Sequence, residues 1–179
     1  MIYLIIILVV VQRLAELIAA KRNEQWMREQ GAFEAGASHY PYMLALHIGF
    51  FLSLLAETLF FDRPLSPFWP LLLPLFLAAQ AFRIWCLRSL GRFWNTKILI
   101  LPDAEVVRKG PYKWIKHPNY LVVTVELLIL PLLLQAYATA VLFSLLNAVM
   151  LSVRIPVEEK ALKGSTNYKE SFERQSDPG

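Results

Sequence analysis

Apolar residues in this chain gather into long blocks separated by short polar segments. That is the pattern of helices crossing a bilayer, each of which needs about 20 mostly apolar residues to span roughly 30 Å of hydrocarbon. Residues 1–20 form the first block, interrupted only by Gln12, Arg13 and Glu16. A cleaved signal peptide is the competing reading, but it requires a basic segment ahead of the apolar core. Neither lysine nor arginine precedes Arg13. Residues 42–61 form the second block, with Glu57 near its end, and the turn Asp62-Arg63-Pro64-Leu65-Ser66-Pro67 follows. Prolines there cannot continue a helix. Residues 68–87 are the third block, with Pro70 and Pro74 near its start and Arg83 in its last turn.

The next stretch needs arithmetic. Between Lys116 and Arg154 lie 37 residues whose only acidic or basic member, apart from neutral His117, is Glu126. As one helix they would run about 55 Å, far beyond the hydrocarbon thickness. They must fold back, and Pro131 with the polar break Gln135-Ala136-Tyr137 marks the place. The expectation is a tight hairpin of two shortish helices, about 120–134 and 137–153. The fold class is therefore all-α: a polytopic membrane protein of about five spans. It forms one domain, residues 1–179, in which two N-terminal spans (1–67) precede a core of residues 68–179. That core holds the third span, a polar loop (88–120), the hairpin (120–153) and a tail whose last residues, 175–179, read as a frayed end.

Composition agrees. Hydrophobic residues make up 56% and charged residues 18% of the chain, against roughly 45–50% and a quarter in soluble domains. A soluble monomer is excluded, and no room remains for a separate soluble catalytic domain. The glycines form no G-x-G-x-x-G run, which disfavours a Rossmann nucleotide site. A single cysteine, Cys86, excludes an intrachain disulfide and a thiolate zinc site. It reads as a small packed apolar residue. The net charge of +4 matters through its placement. With the amino terminus outside, segments 21–41, 88–120 and 154–179 are cytoplasmic and hold 15 of the 18 lysines and arginines. This positive-inside asymmetry points to a membrane and away from nucleic acid. It also brings loop 88–120 and the tail to one membrane surface.

That loop carries unusual residues: Leu90-Gly91-Arg92-Phe93-Trp94-Asn95, then Gly110-Pro111-Tyr112 and His117-Pro118-Asn119-Tyr120. A basic, aromatic interfacial belt explains the lysines and tryptophans. It does not call for the Gly-Pro turn or for a proline-led helix entrance. Pro118 in a first turn leaves its missing N–H harmless, and the free N–H groups and positive dipole end beside it suit a carboxylate. His117 and Tyr120 add hydrogen-bonding and stacking groups, a fit for a charged small molecule with an aromatic base. The tail opens Arg154-Ile155-Pro156-Val157-Glu158-Glu159. Adjacent glutamates at a membrane exit are ordinarily just solvated, but Arg154 and Glu158 share a face if the helix persists past Pro156. A carboxylate there can bind a cationic amine or ribose hydroxyls.

The compound pattern G-P-Y-x-x-x-x-H-P-x-Y, followed about 40 residues later by R-x-x-x-E-E, resembles the isoprenylcysteine carboxyl methyltransferase family of integral membrane enzymes. It covers roughly residues 83–172, with Leu90-Gly91-x-Phe93 upstream and Tyr168 downstream fitting the same pattern. The resemblance implies S-adenosylmethionine-dependent methyl transfer to a lipophilic acceptor that arrives sideways from the bilayer, with the cofactor roofed by loop and tail. Carried over by motif position, Tyr112, His117, Pro118, Asn119, Tyr120 and Glu158 are cofactor contacts. Strand-like Ala104, Glu105, Val106 and Val107 supply backbone contacts, and Arg154 lies nearest the acceptor. Lys97 is only a loose match to a further cofactor contact. Gln12-Arg13-Leu14-x-Glu16, Lys21-Arg22-Asn23-Glu24 and Asn95-Thr96 look more like a bacterial branch associated with type III polyketide synthases, which O-methylates alkylpyrones; that placement implies the bacterial plasma membrane. The chemistry suits the class, because an ionised carboxylate or acidic enol needs no strong base and Arg154 can hold it by charge-assisted hydrogen bonds.

Charges inside a bilayer are functional candidates by default. Glu126, about two turns beyond Pro118, is either a second catalytic residue on the acceptor side or a carboxyl that joins helices. Arg13 and Glu16 pair with each other at i and i+3, Arg83 snorkels, and Glu57 does so less well. His39 and His47 are packing residues with no third metal ligand. Three other functions compete: a phospholipid N-methyltransferase, an NADPH-dependent sterol-type reductase (with Lys160, Lys163 and Lys169 for its phosphates), and a non-catalytic scaffold.

Overall fold

A computed structural model describes residues 2–168. Lys169 and the frayed end read at 175–179 lie outside the described residues. Five apolar helices dominate: α1 (Ile2–Glu29), α2 (Tyr40–Phe61), α3 (Trp69–Leu90), α4 (Pro118–Leu133) and α5 (Tyr137–Ser165). Four of them are long and apolar enough to cross a membrane, and the chain is an integral membrane protein. At 16 residues α4 is about 24 Å long, short of the roughly 30 Å hydrocarbon thickness. The hairpin arms are therefore unequal, because α5 does not stop near 153. It runs through Pro156 to Ser165. Proline removes one backbone hydrogen bond, and α5 continues through it with Pro156 exposed.

The helix reversal lies where length demanded it. Gln135 is left-handed (φ 57°), and Ala136 N–H donates to the Pro131 carbonyl at 2.8 Å, closing the end of α4. The Gln135 side chain donates to the Pro64 carbonyl (2.9 Å), while Arg63 donates to the Gln135 carbonyl (2.8 Å). The two turns opposite the polar loop are thus pinned together. Glu57 does not snorkel: its carboxylate accepts from the Ala138 and Thr139 N–H groups, capping α5 from a neighbouring helix. Below this end lies the core, where Leu54, Phe76, Leu130, Leu133 and Phe143 pack and Phe50 meets Phe143 edge-on.

At the other end two short strands pair antiparallel, β1 (Phe33–Ala35) with β2 (Ile98–Ile100), Phe33 opposite Ile100. Residues 104–107, expected to be strand-like, form no strand, and the strand lies earlier, at 98–100. Segments 30–39 and 91–117 and the end of α5 gather here, with the Asp103 N–H bonded to the Ser165 carbonyl at 2.9 Å. The three basic segments of the sequence therefore share one end of the molecule.

Arg83 also departs from expectation. It is 6% exposed and, instead of snorkelling, donates to Glu16 (3.0 Å) and Glu126 (2.9 Å). Arg13 bonds Glu16 as expected and Glu126 as well (2.9 Å). Gln12 and Gln80 complete a network that joins α1, α3 and α4.

Candidate active site

A cavity of about 400 Å³ opens under the polar loop, within the range of small-molecule sites. Its helical walls follow helical periodicity. Val10, Leu14 and Leu17 face it from α1, and Met43, His47 and Phe51 from α2. Met150, Arg154 and Glu158 face it from α5. Its roof is residues 93–101, 104–107 and Tyr112. Leu14 and Leu17 on α1 and Leu44 and Ile48 on α2 line the cavity yet are 38–54% exposed, so the seam between these helices is an apolar mouth.

The polar end is built where α4 begins and α5 ends. No side chain caps the first turn of α4. Its His117 and Tyr120 rings stack at 5.5 Å and 25°. Because α5 continues past Pro156, it carries both glutamates to these rings: Tyr120 Oη donates to Glu158, and His117 Nε2 lies 3.1 Å from Glu159. One turn earlier Arg154, 5% exposed, donates from Nε to Tyr120 Oη at 2.8 Å and from Nη2 to the Thr96 carbonyl at 2.5 Å. A hydrogen-bonded row from Arg154 through Tyr120 to Glu158 results.

Of the residues singled out in the sequence, Ala104, Glu105, Val106, Val107, Tyr112, His117, Asn119, Tyr120, Arg154 and Glu158 all line this one cavity. Pro118 does not. It is buried as the first residue of α4 and acts by shaping the entrance. Glu126 also lies outside the lining, its oxygens accepting from Arg13, Arg83 and Gln80. Of the two readings of this carboxyl, the geometry supports the one that joins helices. Cys86 is buried among apolar neighbours.

Sequence reasoning missed the walls supplied by α1 and α2, together with Trp94, Thr96, Leu162 and Thr166. Helical spacing of the α1 and α2 residues was the available signal, and on α1 the polar pair Arg13 and Glu16, which lines the cavity, marked the face. Lys97, left aside as a loose match, lines the cavity and pairs with Glu24 at 2.8 Å, a hydrogen bond that raises the lysine above its usual range.

Among the described residues, two buried polar atoms in this wall, Tyr112 Oη and Asn119 Oδ1, have no hydrogen-bond partner. Such atoms cost free energy unless a ligand or water satisfies them. Burial pushes the Tyr112 phenol above its ordinary value, so it stays a neutral O–H donor. An unpaired donor, an unpaired acceptor, a stacked aromatic pair and a carboxylate fit a nucleoside-bearing cofactor with a cationic end.

Gly110 holds the roof in place. Its φ is +53°, and a Cβ there would lie 2.2 Å from Ser89 Oγ and 2.8 Å from Trp85 Nε1 on α3. Gly110→Ala is expected to destabilise the protein by about 1–3 kcal/mol through the strained backbone alone. Thermal unfolding in detergent measures this.

Residues 72–164, just over half of the chain, match the family model for isoprenylcysteine carboxyl methyltransferases. Among curated proteins, YpbQ of Bacillus subtilis (strain 168), which carries the description uncharacterized, is 54% identical over 163 residues, covering 91% of this chain and 97% of its own. An uncharacterized protein of Haemophilus influenzae (strain ATCC 51907 / DSM 11121 / KW20 / Rd) is 27% identical over 151 residues, 84% of this chain and 88% of its own. No solved structure matches. Motif, geometry and family match agree: the chain belongs to the isoprenylcysteine carboxyl methyltransferase family of membrane methyltransferases.

Proposed function

We propose that this protein transfers a methyl group from S-adenosylmethionine to an oxygen, carboxylate or enolate, of a lipophilic acceptor that enters between α1 and α2. The observation that carries the reading is the meeting of Tyr120 and His117 on α4 with Glu158 and Glu159 on α5. It places aromatic and acidic groups at one end of a cavity whose remaining walls are largely apolar.

The residues then divide the work. Glu158 would hold ribose hydroxyls or the amino group of the cofactor. Tyr112 and Asn119 would satisfy its polar edges, and the backbone of 104–107, which lines the cavity, would run alongside it. The sulfonium of the bound cofactor supplies an activated methyl group, so the protein contributes alignment and exclusion of water. Arg154 holds the acceptor's anionic oxygen by charge-assisted hydrogen bonds, and the aliphatic walls of α1, α2 and α5 seat its hydrocarbon. The grouping of the basic segments at the polar end supports placing that end in the cytoplasm and the amino terminus outside.

Ligand binding to the detergent-purified protein tests this directly. S-adenosylmethionine and its demethylated product are expected to bind, and NADPH is not. Binding of NADPH alone would instead assign a reductase, and binding of none of the three would leave a scaffold. The reductase reading needs free cations in the tail, and there Lys163 Nζ is already 3.8 Å from Glu159.

A further inference from the structure

Resting on the methyltransferase reading above, we infer that the acceptor compartment is closed inside the membrane by a polar band that recognises a second, uncharged hydrogen-bonding group on the acceptor. Arg13, Glu16, His47, Arg83 and Asn147 all line the same cavity as Arg154. They come from four different helices, and Glu126 grips both arginines from behind.

The depth of the band follows from helix rise. Glu126 is six residues beyond Tyr120 on α4, so the arginines bound to it lie about 9 Å deeper than the Tyr120–Arg154 contact. Asn147, bonded to Thr124 at 3.1 Å, lies between the two levels. A guest held at Arg154 by its reacting oxygen therefore reaches the band with the middle of its chain.

The band retains donors and acceptors for such a guest. Arg13 uses Nη1 and Nη2 on Glu16 and Glu126, and Arg83 uses Nε and Nη1 on the same two carboxylates. Among the described residues this leaves Arg13 Nε and Arg83 Nη2 without a protein acceptor. His47 bonds the Met43 carbonyl through Nδ1, which leaves Nε2. Two arginines against two glutamates make the network neutral, so it favours a dipolar guest, a hydroxyl or carbonyl, over a charged one. Joining three helices alone does not require these groups to line a cavity. Apolar residues of similar volume commonly replace buried ion pairs without loss of stability. A plain hydrocarbon chain would cover the band without satisfying it, and desolvating unmet polar groups is costly.

The test uses two probes with the full-length protein in nanodiscs: tritiated hexadecanoic acid and its 9-hydroxy derivative. The chain length is the same, but only the second places a hydroxyl at the band. The hydroxy acid is expected to bind about tenfold more tightly, the scale of one hydrogen bond to a charged group. In a neutral variant combining Arg13→Met, Glu16→Gln, Arg83→Met and Glu126→Gln, which keeps His47 and Asn147, that preference is expected to shrink while S-adenosylmethionine binding is kept. His47→Leu, which leaves the ion pairs intact, is expected to narrow the preference if the fourfold variant fails to fold. Equal binding of the two acids to the unaltered protein overturns the inference, as does a preference undiminished in the folded fourfold variant. Binding of neither acid overturns it too, because the cavity would then not seat a fatty chain. Loss of S-adenosylmethionine binding by the unaltered protein would instead sink the methyltransferase reading, so the two failures are distinct.

Discussion

Arg154→Ala is expected to lower the rate of methyl transfer by about 10²–10³-fold, the scale of losing one preorganised donor to an oxyanion, while leaving S-adenosylmethionine bound. The residue is buried, and its guanidinium is held in one orientation by Tyr120 Oη and the Thr96 carbonyl. A cation fixed in this way loses little freedom when an anionic acceptor arrives. It also lies one turn before Glu158 on the same face of α5, so the proposed acceptor and cofactor subsites would meet there. Arg154→Lys separates charge from shape: it keeps the cation but loses the planar fork that contacts Tyr120 and Thr96 together. It should recover only part of the rate. Labelled methyl entering the organic extract of membranes measures turnover, and equilibrium binding of labelled cofactor measures the other half. Full activity in Arg154→Ala would remove the residue from the mechanism.

The second large effect is expected at Glu158. Glu158→Gln should weaken S-adenosylmethionine by about 10–100-fold, corresponding to roughly 1.5–3 kcal/mol for a hydrogen bond made by a charged group. It should weaken the demethylated product equally, because ribose and amino group are common to both. The glutamine carbonyl still accepts from Tyr120 Oη, so the row Arg154–Tyr120–Glu158 persists and the fold is kept. Calorimetric titration of both ligands checks the effect. Unchanged affinity for either would move the cofactor's polar contacts elsewhere.

The membrane architecture was legible because the bilayer leaves few choices. A backbone crossing hydrocarbon must satisfy its own hydrogen bonds, so helices are forced wherever about 20 apolar residues run together. The same logic reads the reversal between α4 and α5 from length alone. Most of the polar end was legible too, since Tyr112, His117, Asn119 and Tyr120 precede or open one helix, and Arg154 and Glu158 lie one turn apart on the other.

What was misread depends on partners distant in the chain. Residues 104–107 have a strand's composition, yet a strand exists only where a ladder partner is offered, and β1 offers it to residues 98–100. Arg83 near a helix end has the signature of a snorkelling residue, but Glu16 and Glu126 on two other helices lie within reach and keep it inside. The second arm of the hairpin was expected to stop near 153, and α5 instead runs through Pro156 to Ser165, where Glu158 and Glu159 meet Tyr120 and His117. Glu57 reads as a stray charge until the uncapped start of α5 is seen beside it.

Sequence by itself determined the helical membrane class, the place of the hairpin turn, the gathering of basic segments at one end and many of the residues that line the polar end, all local properties of composition and spacing. Tertiary structure alone decided which faces of α1 and α2 wall the cavity, that Glu158 meets Tyr120 while Glu159 meets His117, and that four intramembrane charges form one neutral network. Those outcomes depend on which helix stands beside which. Along largely apolar helices, the spacing of residues alone does not record which helix is the neighbour.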